Sequence, residues 1–194
     1  MIIIGLTGQT GAGKSTVAGI LKEYGAVHID ADKIAKAVIL TSETVLTALK
    51  NEFGKDIMKD GILDRKTLAK RAFSSVQKTV RLNEITHPAV NEAIKKILMS
   101  LEKSGAKAAV IDAIALFESG ENGLCDYTVA VVAPKEERAR RIIERDNLTE
   151  EQAKERINAQ KDESFYTEKC DFTVQNFGEY DIREQLKDLT AKLS

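Results

Sequence analysis

The sequence predicts an α/β fold of three layers with about five parallel strands, and three observations support this prediction. Short apolar runs typical of buried strands alternate with helical patterns along most of the chain. The first apolar run leads into a glycine-rich turn and then into a helix. A long stretch without strand patterns separates the second run from the third. Strands that alternate with helices in this way build a parallel sheet with helices on both faces.

The composition fits one full hydrophobic core and a smaller appended unit. The chain has 194 residues, 43% of them hydrophobic, and its 29 basic and 30 acidic residues give a net charge of −1. This balance argues against a nucleic-acid or membrane surface as the main partner. The apolar run at residues 2–6 follows no basic segment and is far too short to span a bilayer. Cys125 and Cys170 form no C-x-x-C motif, which favours structural thiols in a reducing compartment. We therefore expect a cytoplasmic protein, a monomer or a weak homo-oligomer, that binds neither nucleic acid nor membrane.

The first strand, loop and helix carry the clearest motif. Residues 2–6 predict a strand, and residues 14–24 predict a helix that ends at Gly25. Between them, residues 8–15 match G-x-x-x-x-G-K-[ST], the phosphate-binding loop, or P-loop. Its glycines let backbone N–H groups surround anionic oxygens, Lys14 reaches the β- and γ-phosphates, and the Ser15 hydroxyl can bind Mg²⁺. The candidate nucleotide-binding residues are Gly11, Ala12, Gly13, Lys14, Ser15 and Thr16.

The second strand is predicted at residues 26–30 and is followed by a long helical region. A helical pattern follows Ala31-Asp32, and further helical patterns cover about 42–53, 64–73, 76–85 and 88–104, with Pro88 in a first helical turn and no convincing strand. A crossover between parallel strands needs only about a dozen residues. We therefore predict that residues 31–105 form a helical insertion with a binding function. Residues 1–30 and 106–194 would form the nucleotide-binding core.

The second half of the chain returns to the strand–helix alternation. Strands are predicted at residues 107–112, 127–133 and 172–175. Two polar helices at about 135–146 and 150–161 suggest a helical lid over residues 134–162, and Thr149 and Gln152 have the spacing of a capping box. Asp181 should cap a terminal helix that runs to about residue 193.

Acidic residues follow two of the predicted strands, Asp30 and Asp32 after the second and Asp112 after the third, at the edge where open α/β sheets bind ligands. Asp32 is the candidate catalytic base, because a kinase needs a carboxylate beside the acceptor hydroxyl; the alternative is an N-cap for a helix that starts at Lys33. Asp112 is a candidate Mg²⁺ ligand together with Ser15, and its alternative role is a simple cap.

A row of arginines follows Pro134. At about 100° per residue, Arg138, Arg141 and Arg145 lie within an arc of roughly 60° on one helix face. Like charges at this spacing repel, so the row predicts an anion opposite it, with arginine stabilising the transferred phosphoryl group. The alternative is a solvated face with pairs such as Glu137 and Arg141.

The chain resembles the dephospho-coenzyme A kinases almost from end to end. The phosphate loop is common to many nucleotide-binding proteins, but a series of further motifs at family spacing makes the resemblance specific. These motifs are Ile29-Asp30-Ala31-Asp32, Phe53-Gly54, Asp60-Gly61, Leu63-Asp64-Arg65, Leu82-Asn83, His87-Pro88, Leu116-Phe117-Glu118, Arg141, Arg145-Asp146, Arg156, Gln160, Cys170-Asp171 and Asn176.

The resemblance implies a fold similar to that of nucleoside monophosphate kinases, with an acceptor-binding helical domain and a lid. It implies phosphorylation of the ribose 3′-hydroxyl of dephospho-coenzyme A by ATP with Mg²⁺, the last step of coenzyme A synthesis. Asp32, Lys14 and Arg141 would be catalytic, and Asp32, His87 and Arg141 would bind the substrate. For His87, which precedes a proline, a helix cap is the alternative.

The chain departs from the family pattern at three places, and two other functions remain as alternatives. Gln9, Thr10 and Ala12 stand in a loop that usually reads Gly-Gly-Ile-Gly-Ser-Gly-Lys-Ser, residues 38–41 replace a Glu-Pro-Gly, and residues 113–115 lack a proline. The last two departures fall in loops expected to face the acceptor, and they concern the details of acceptor binding more than the reaction. Another P-loop small-molecule or nucleoside monophosphate kinase is one alternative. A nucleotide-dependent switch is the other; the missing Asn-Lys-x-Asp element argues against a GTPase.

Overall fold

Five parallel strands form the central sheet of the structure, a computed structural model that describes residues 1–193. The strands of the described chain are β1 (Ile2–Gly8), β2 (Ala26–Asp30), β3 (Met58–Lys59), β4 (Ile62–Leu63), β5 (Ala108–Asp112), β6 (Tyr127–Val132) and β7 (Phe172–Gln175). The helices are α1 (Lys14–Glu23), α2 (Ala31–Thr41), α3 (Glu43–Phe53), α4 (Arg65–Ala72), α5 (Val76–Lys103), α6 (Lys135–Asp146), α7 (Glu150–Asn158), α8 (Glu163–Thr167), α9 (Ile182–Gln185) and α10 (Lys187–Thr190). The sheet order β2-β5-β1-β6-β7 and its helices confirm the predicted α/β fold class.

The register of the sheet aligns the carboxyl ends of its strands. Asp112, the last residue of β5, pairs with Leu6 of β1 and with Asp30 of β2. Alternate residues of β1 and β6, including Leu6 and Val129, contribute to a buried core that also includes Leu21 of α1 and Leu189 of α10. The apolar runs predicted at residues 2–6, 107–112 and 127–133 are therefore the central strands β1, β5 and β6, which parallel sheets bury on both faces. β2 and β7 lie at the edges of the sheet.

The chain divides into two compact units. The sheet unit contains Met1–Asp30 and the chain from Ser100 onward, and the helical unit contains Ala31–Met99. A core of its own stabilises the helical unit, built around Leu49 and Phe53 of α3 and Leu68 of α4. No helix among residues 1–193 is long and apolar enough to cross a membrane.

The predicted helix break before Pro88 is wrong, because α5 continues through this proline as a 28-residue helix. Proline has no N–H group and cannot donate to the carbonyl of Glu84, one turn earlier. However, apolar residues on both sides of Pro88 pack against the core of the helical unit, among them Leu82, Ile85 and Ala89. This continuous apolar face outweighs the lost hydrogen bond.

The prediction that the insertion contains no strand is also wrong. β3 and β4 form a two-stranded antiparallel hairpin, in which Met58 pairs with Leu63. Its turn residues, Asp60 and Gly61, have φ angles of 50° and 80°, as in a type I′ turn. Strands of two residues are too short to show the alternating pattern on which a prediction from sequence depends.

Helix ends after α6 differ from the predicted ones. α6 has its predicted bounds, and Thr149 and Gln152 form the predicted capping box of α7. α7, however, ends at Asn158 rather than near residue 161. Asp181 accepts hydrogen bonds as the predicted cap of α9, but the single terminal helix is replaced by α9 and α10. Leu186 interrupts it with a ψ angle of −1°, while its side chain is buried in the sheet core.

We expect Pro88→Ala to raise the free energy of unfolding by about 1 to 3 kcal/mol, because alanine restores a backbone donor within α5. Urea denaturation followed by circular dichroism measures this change. Pro88→Gly is the matched control: it also restores the donor, but its helix propensity is about 1 kcal/mol lower than that of alanine. A destabilised Pro88→Ala variant would contradict the expectation and show that the proline ring contributes essential packing.

Candidate active site

The phosphate loop joins β1 to α1 as the motif predicts. α1 begins at Lys14, and the residue before it, Gly13, has a φ angle of 95°. Within the loop, the Ala12 amide donates to the Gln9 carbonyl at 3.1 Å. Lys14 folds back so that its Nζ donates to the carbonyl of Gly8 at 3.2 Å. The N-terminus of α1 and the Lys14 ammonium therefore lie at the same loop, where both favour an anion.

Three consecutive carbonyls of the loop are held by side chains from the sheet unit. Arg138 Nε donates to the Thr10 carbonyl at 3.2 Å, and Arg141 Nη1 donates to the Gly11 carbonyl at 3.2 Å. The Ala12 carbonyl accepts from Asn176 Nδ2 at 2.8 Å and from Arg141 at 3.3 Å. In a planar trans peptide, the next N–H group points opposite to the carbonyl. Holding these carbonyls therefore directs loop N–H groups away from the supporting side chains, as an anion cradle requires.

Gly11 and Gly13 must be glycines because the residues that support the loop approach them closely. A Cβ at Gly11 would lie 2.7 Å from the carbonyl oxygen of Arg138, and a Cβ at Gly13 would lie 1.9 Å from Asn176 Nδ2. Any side chain at either position would displace the loop from α6 or from Asn176.

Asp30 and Asp112 meet at the carboxyl edge of the sheet, as predicted from the strand ends. His28 Nε2 lies 3.3 Å from Asp112 Oδ2, a contact that the sequence analysis did not anticipate. Ser15 is exposed in the first turn of α1. Residues 1–193 contain no group of three or more His, Cys, Asp or Glu side chains arranged to hold a metal ion.

Asp32 and His87 belong to the helical unit. Asp32 is exposed and lies in the first turn of α2, which begins at Ala31. The alternative role of Asp32 as an N-cap for a helix starting at Lys33 is therefore wrong, since α2 begins before it. His87 lies within α5, immediately before Pro88, so the alternative of a cap at the start of a new helix is wrong as well.

The three arginines of α6 have three different environments. Arg138 is buried against the phosphate loop with 1% of its surface exposed, and burial lowers the pKa of its guanidinium. Arg141 contacts loop carbonyls and the Asn176 carbonyl, and its Nη2 lies 3.7 Å from Glu137, the pair considered as the alternative. Arg145 binds Asp146 through two hydrogen bonds. The prediction of a single row used only the angular positions along the helix, and these do not show which residues pack against each turn.

α6 and α7 form a helical hairpin that is held together by a small apolar core and by ion pairs. Ile142 of α6 packs against Ala153 and Ile157 of α7. Asp146 accepts hydrogen bonds from Arg145 and, at 2.5 Å, from Arg156 on α7. The hydrogen bonds from Arg145, with the positive charge of both arginines, lower the pKa of Asp146 to about 2. Arg145, Asp146 and Arg156 thus join the two helices of the hairpin.

Two residues that the sequence analysis treated as simple departures support the loop. Gln9 and Thr10 are 5% and 8% exposed, and both hydrogen-bond to residues outside the loop. The sequence does contain a sign of this supporting role, because the two polar residues replace the usual glycine and isoleucine at consecutive positions. Their partners could not be identified, because the residues that contact them lie more than 120 positions away.

The two cysteines have the properties of structural thiols, in agreement with the sequence analysis. Burial raises the pKa of Cys125 to about 12 and that of Cys170 to about 11. Because the thiolate is the nucleophilic form, neither side chain is a candidate nucleophile at neutral pH.

The chain is similar to known proteins over nearly its whole length. A family model described as dephospho-CoA kinase matches residues 2–181. The dephospho-CoA kinase of Corynebacterium diphtheriae is 42% identical over 187 residues, which cover 96% of this chain and 94% of that protein. A crystal structure of a Thermus thermophilus protein matches with a TM-score of 0.83 and 34% identity, covering 100% of this chain and 98% of that one. The structure of a dephospho-CoA kinase from Campylobacter jejuni matches with a TM-score of 0.69 and 29% identity, covering 99% and 96%.

We expect Gly13→Ala to weaken ATP binding by at least about 100-fold, because the added methyl group would push Asn176 away from the loop. Isothermal titration calorimetry with ATP and Mg²⁺ measures the affinity, and circular dichroism checks the fold. Gly19 in α1 is the matched control, since nothing lies within 4 Å of a Cβ added there. Gly19→Ala should bind ATP like the wild type. Equal affinities for the two variants would contradict the role of Gly13.

Proposed function

The chain belongs to the dephospho-CoA kinase family, and from this premise we propose how its residues carry out the family reaction. The enzyme phosphorylates dephospho-coenzyme A with ATP and so catalyses the last step of coenzyme A synthesis. We assign the ribose 3′-hydroxyl as the phosphorylated position. The observation that carries this proposal is the supported phosphate loop of a chain that matches the family model over residues 2–181.

The donor side of the reaction is assigned to the phosphate loop. The backbone of Gly11–Thr16 would cradle the phosphates of ATP, and Lys14 would lie against the β- and γ-phosphates. Arg141 would add positive charge beside them as the γ-phosphoryl group leaves, because it contacts two carbonyls of the same loop.

A magnesium ion fits the oxygen donors at this edge of the sheet. Ser15 is exposed, and the Asp112 side chain is 19% exposed at the end of β5. Mg²⁺ prefers hard oxygen ligands and needs few from the protein, since phosphates and waters complete its shell. Ser15 and Asp112 would hold the ion, and its charge would offset negative charge on the transferring phosphoryl group.

The acceptor side is assigned to the helical unit, Ala31–Met99, which lies within the predicted insertion of residues 31–105. Asp32 would take the proton of the acceptor hydroxyl while the hydroxyl oxygen forms a bond to the γ-phosphorus of ATP. The bond from that phosphorus to the bridging oxygen breaks, and its electron pair leaves with ADP. His87, together with Arg141, would bind acceptor or phosphate groups. The hairpin of α6 and α7, within residues 134–162, would act as the lid.

The remaining assignments concern the surroundings of the enzyme. The two free, half-buried cysteines fit a reducing compartment, so we assign the protein to the cytoplasm. ATP and dephospho-coenzyme A would be its partners, without nucleic acid or membrane, and the chain would act as a monomer or weak homo-oligomer.

An acceptor panel tests the proposed function. The protein is incubated with ATP and Mg²⁺ and with dephospho-coenzyme A, AMP or another nucleoside monophosphate, while ADP release is followed. We expect turnover only with dephospho-coenzyme A, and phosphorus NMR should find the new phosphate on the ribose 3′-oxygen. Turnover with a nucleoside monophosphate but not with dephospho-coenzyme A would overturn the assignment. Nucleotide binding without turnover on any acceptor would favour a switch.

Asp32→Asn should lower kcat by at least about 100-fold and leave the affinity for ATP unchanged, because the amide cannot accept the hydroxyl proton. Steady-state kinetics and calorimetry measure the two quantities. Asp60→Asn is the matched control: the same substitution in the helical unit, at an exposed turn where asparagine tolerates the φ angle of 50°. It should retain wild-type turnover. Wild-type turnover in Asp32→Asn would remove this residue from its role.

A further inference from the structure

Arg138 is the largest fully buried side chain of the described protein, and it lies behind the phosphate loop. Its Nε donates to the Thr10 carbonyl at 3.2 Å, and its Nη1 donates to the side-chain oxygen of Gln9. No carboxylate hydrogen-bonds to this guanidinium among residues 1–193, and its Nη2 has no hydrogen-bond partner there. A buried cation without a paired acid is costly unless neutral acceptors compensate for its lost hydration. The loop supplies those acceptors.

Gln9 is held in one orientation by two partners. Its Oε1 accepts from Arg138, and its Nε2 donates to the Lys161 carbonyl at 2.8 Å. Both ends of the amide are therefore engaged at a site that is 5% exposed. Gln9 and Arg138 satisfy each other: without the arginine the Gln9 oxygen loses its donor, and without Gln9 the guanidinium loses one of two acceptors.

Thr10, the next loop residue, is held by Gln160, which follows the hairpin of α6 and α7 in the chain. Gln160 Oε1 accepts from the Thr10 amide at 3.0 Å, and Gln160 Nε2 donates to the Thr10 hydroxyl at 3.0 Å. The early end of α7 frees Gln160 and Lys161 from helical geometry, so both can reach the loop. Arg138 near the start of the hairpin and Gln160 after it thus bind adjacent residues of the loop.

We propose that Arg138 and Gln9 are a coupled pair of positioning residues, which holds the phosphate loop in its nucleotide-binding shape. The Thr10 carbonyl that Arg138 binds belongs to the same peptide as the Gly11 N–H group, so the pair fixes the direction of that donor. The carbonyl oxygen of Arg138 also lies 2.7 Å from the position that a Cβ of Gly11 would take. Because 1% of Arg138 is exposed, it acts through the loop and does not touch the nucleotide. This inference rests on the proposed role of the loop in binding ATP.

The test compares ATP affinity with acceptor affinity. Arg138→Met should weaken ATP binding, measured by calorimetry, at least about tenfold, because a loop donor loses its fixed direction. The KM for ATP should rise accordingly, while the KM for dephospho-coenzyme A changes by less than about twofold. Arg140→Met is the matched control, an exposed arginine on the same helix that pairs with Glu137 and Glu144. It should behave like the wild type in both measurements.

A double-mutant cycle tests the coupling. If the two residues act as a pair, the double variant Gln9→Gly/Arg138→Met should weaken ATP binding by much less than the product of the two single effects. Independent, multiplicative effects would overturn the coupled pair. Wild-type ATP affinity in folded Arg138→Met, or equal increases in both KM values, would overturn the positioning role.

Two further variants, Gln9→Gly and Arg138→Lys, provide additional tests of the proposal. If circular dichroism shows that Arg138→Met does not fold, Gln9→Gly is measured alone; it must weaken ATP binding, and unchanged affinity would overturn the proposal. Arg138→Lys keeps the charge but cannot supply two parallel donors, so it should restore ATP affinity at most in part. Binding of ATP is measured without acceptor, so an inactive wild type would count against the proposed function and leave this test valid.

Discussion

The candidate site depends on one constraint: a backbone loop binds phosphate only if its carbonyl oxygens are held away from the anion. In this protein three consecutive carbonyls, from Thr10 to Ala12, each accept a hydrogen bond from a side chain. The donors are Arg138, Arg141 and Asn176, which lie far from the loop in sequence and beside it in the sheet unit. Because each peptide is planar, fixing the carbonyl also fixes the N–H group behind it. The glycines permit this conformation, but these side chains select it.

The same constraint explains why the arginines of α6 differ in environment despite their common face. The first turns of the helix lie against the loop, so Arg138 is buried there and Arg141 is half-buried, whereas the last turn meets α7. Arg145 consequently pairs with Asp146 and supports the hairpin. A buried guanidinium next to a phosphate site also contributes positive potential in a medium of low dielectric constant, where charge acts more strongly than in water.

The two units contribute in different ways to the proposed reaction. The residues assigned to ATP and Mg²⁺ belong to the sheet unit, whose strands align their carboxyl ends through a regular parallel register. Those assigned to the proton transfer and the acceptor, Asp32 and His87, belong to a helical unit with its own core. The long helix α5 shows how strong that core is, since it continues through Pro88 despite a missing backbone donor. Each unit thus buries an apolar core of its own, as separately packed domains do.

The fold class, the phosphate loop and the family can all be recognised from the sequence alone. These follow from local patterns: apolar runs of buried strands, glycines at fixed spacing, and short motifs in a fixed order. The sequence also located the capping box at Thr149 and the acidic strand ends, because both depend on neighbouring residues. Tertiary packing decided the rest. Only the folded chain brings Arg138 to Gln9 across nearly 130 positions, carries α5 through Pro88, and ends α7 early enough for Gln160 to reach the loop. Such contacts depend on which surfaces pack together, and helical angle or propensity along the chain does not contain that information.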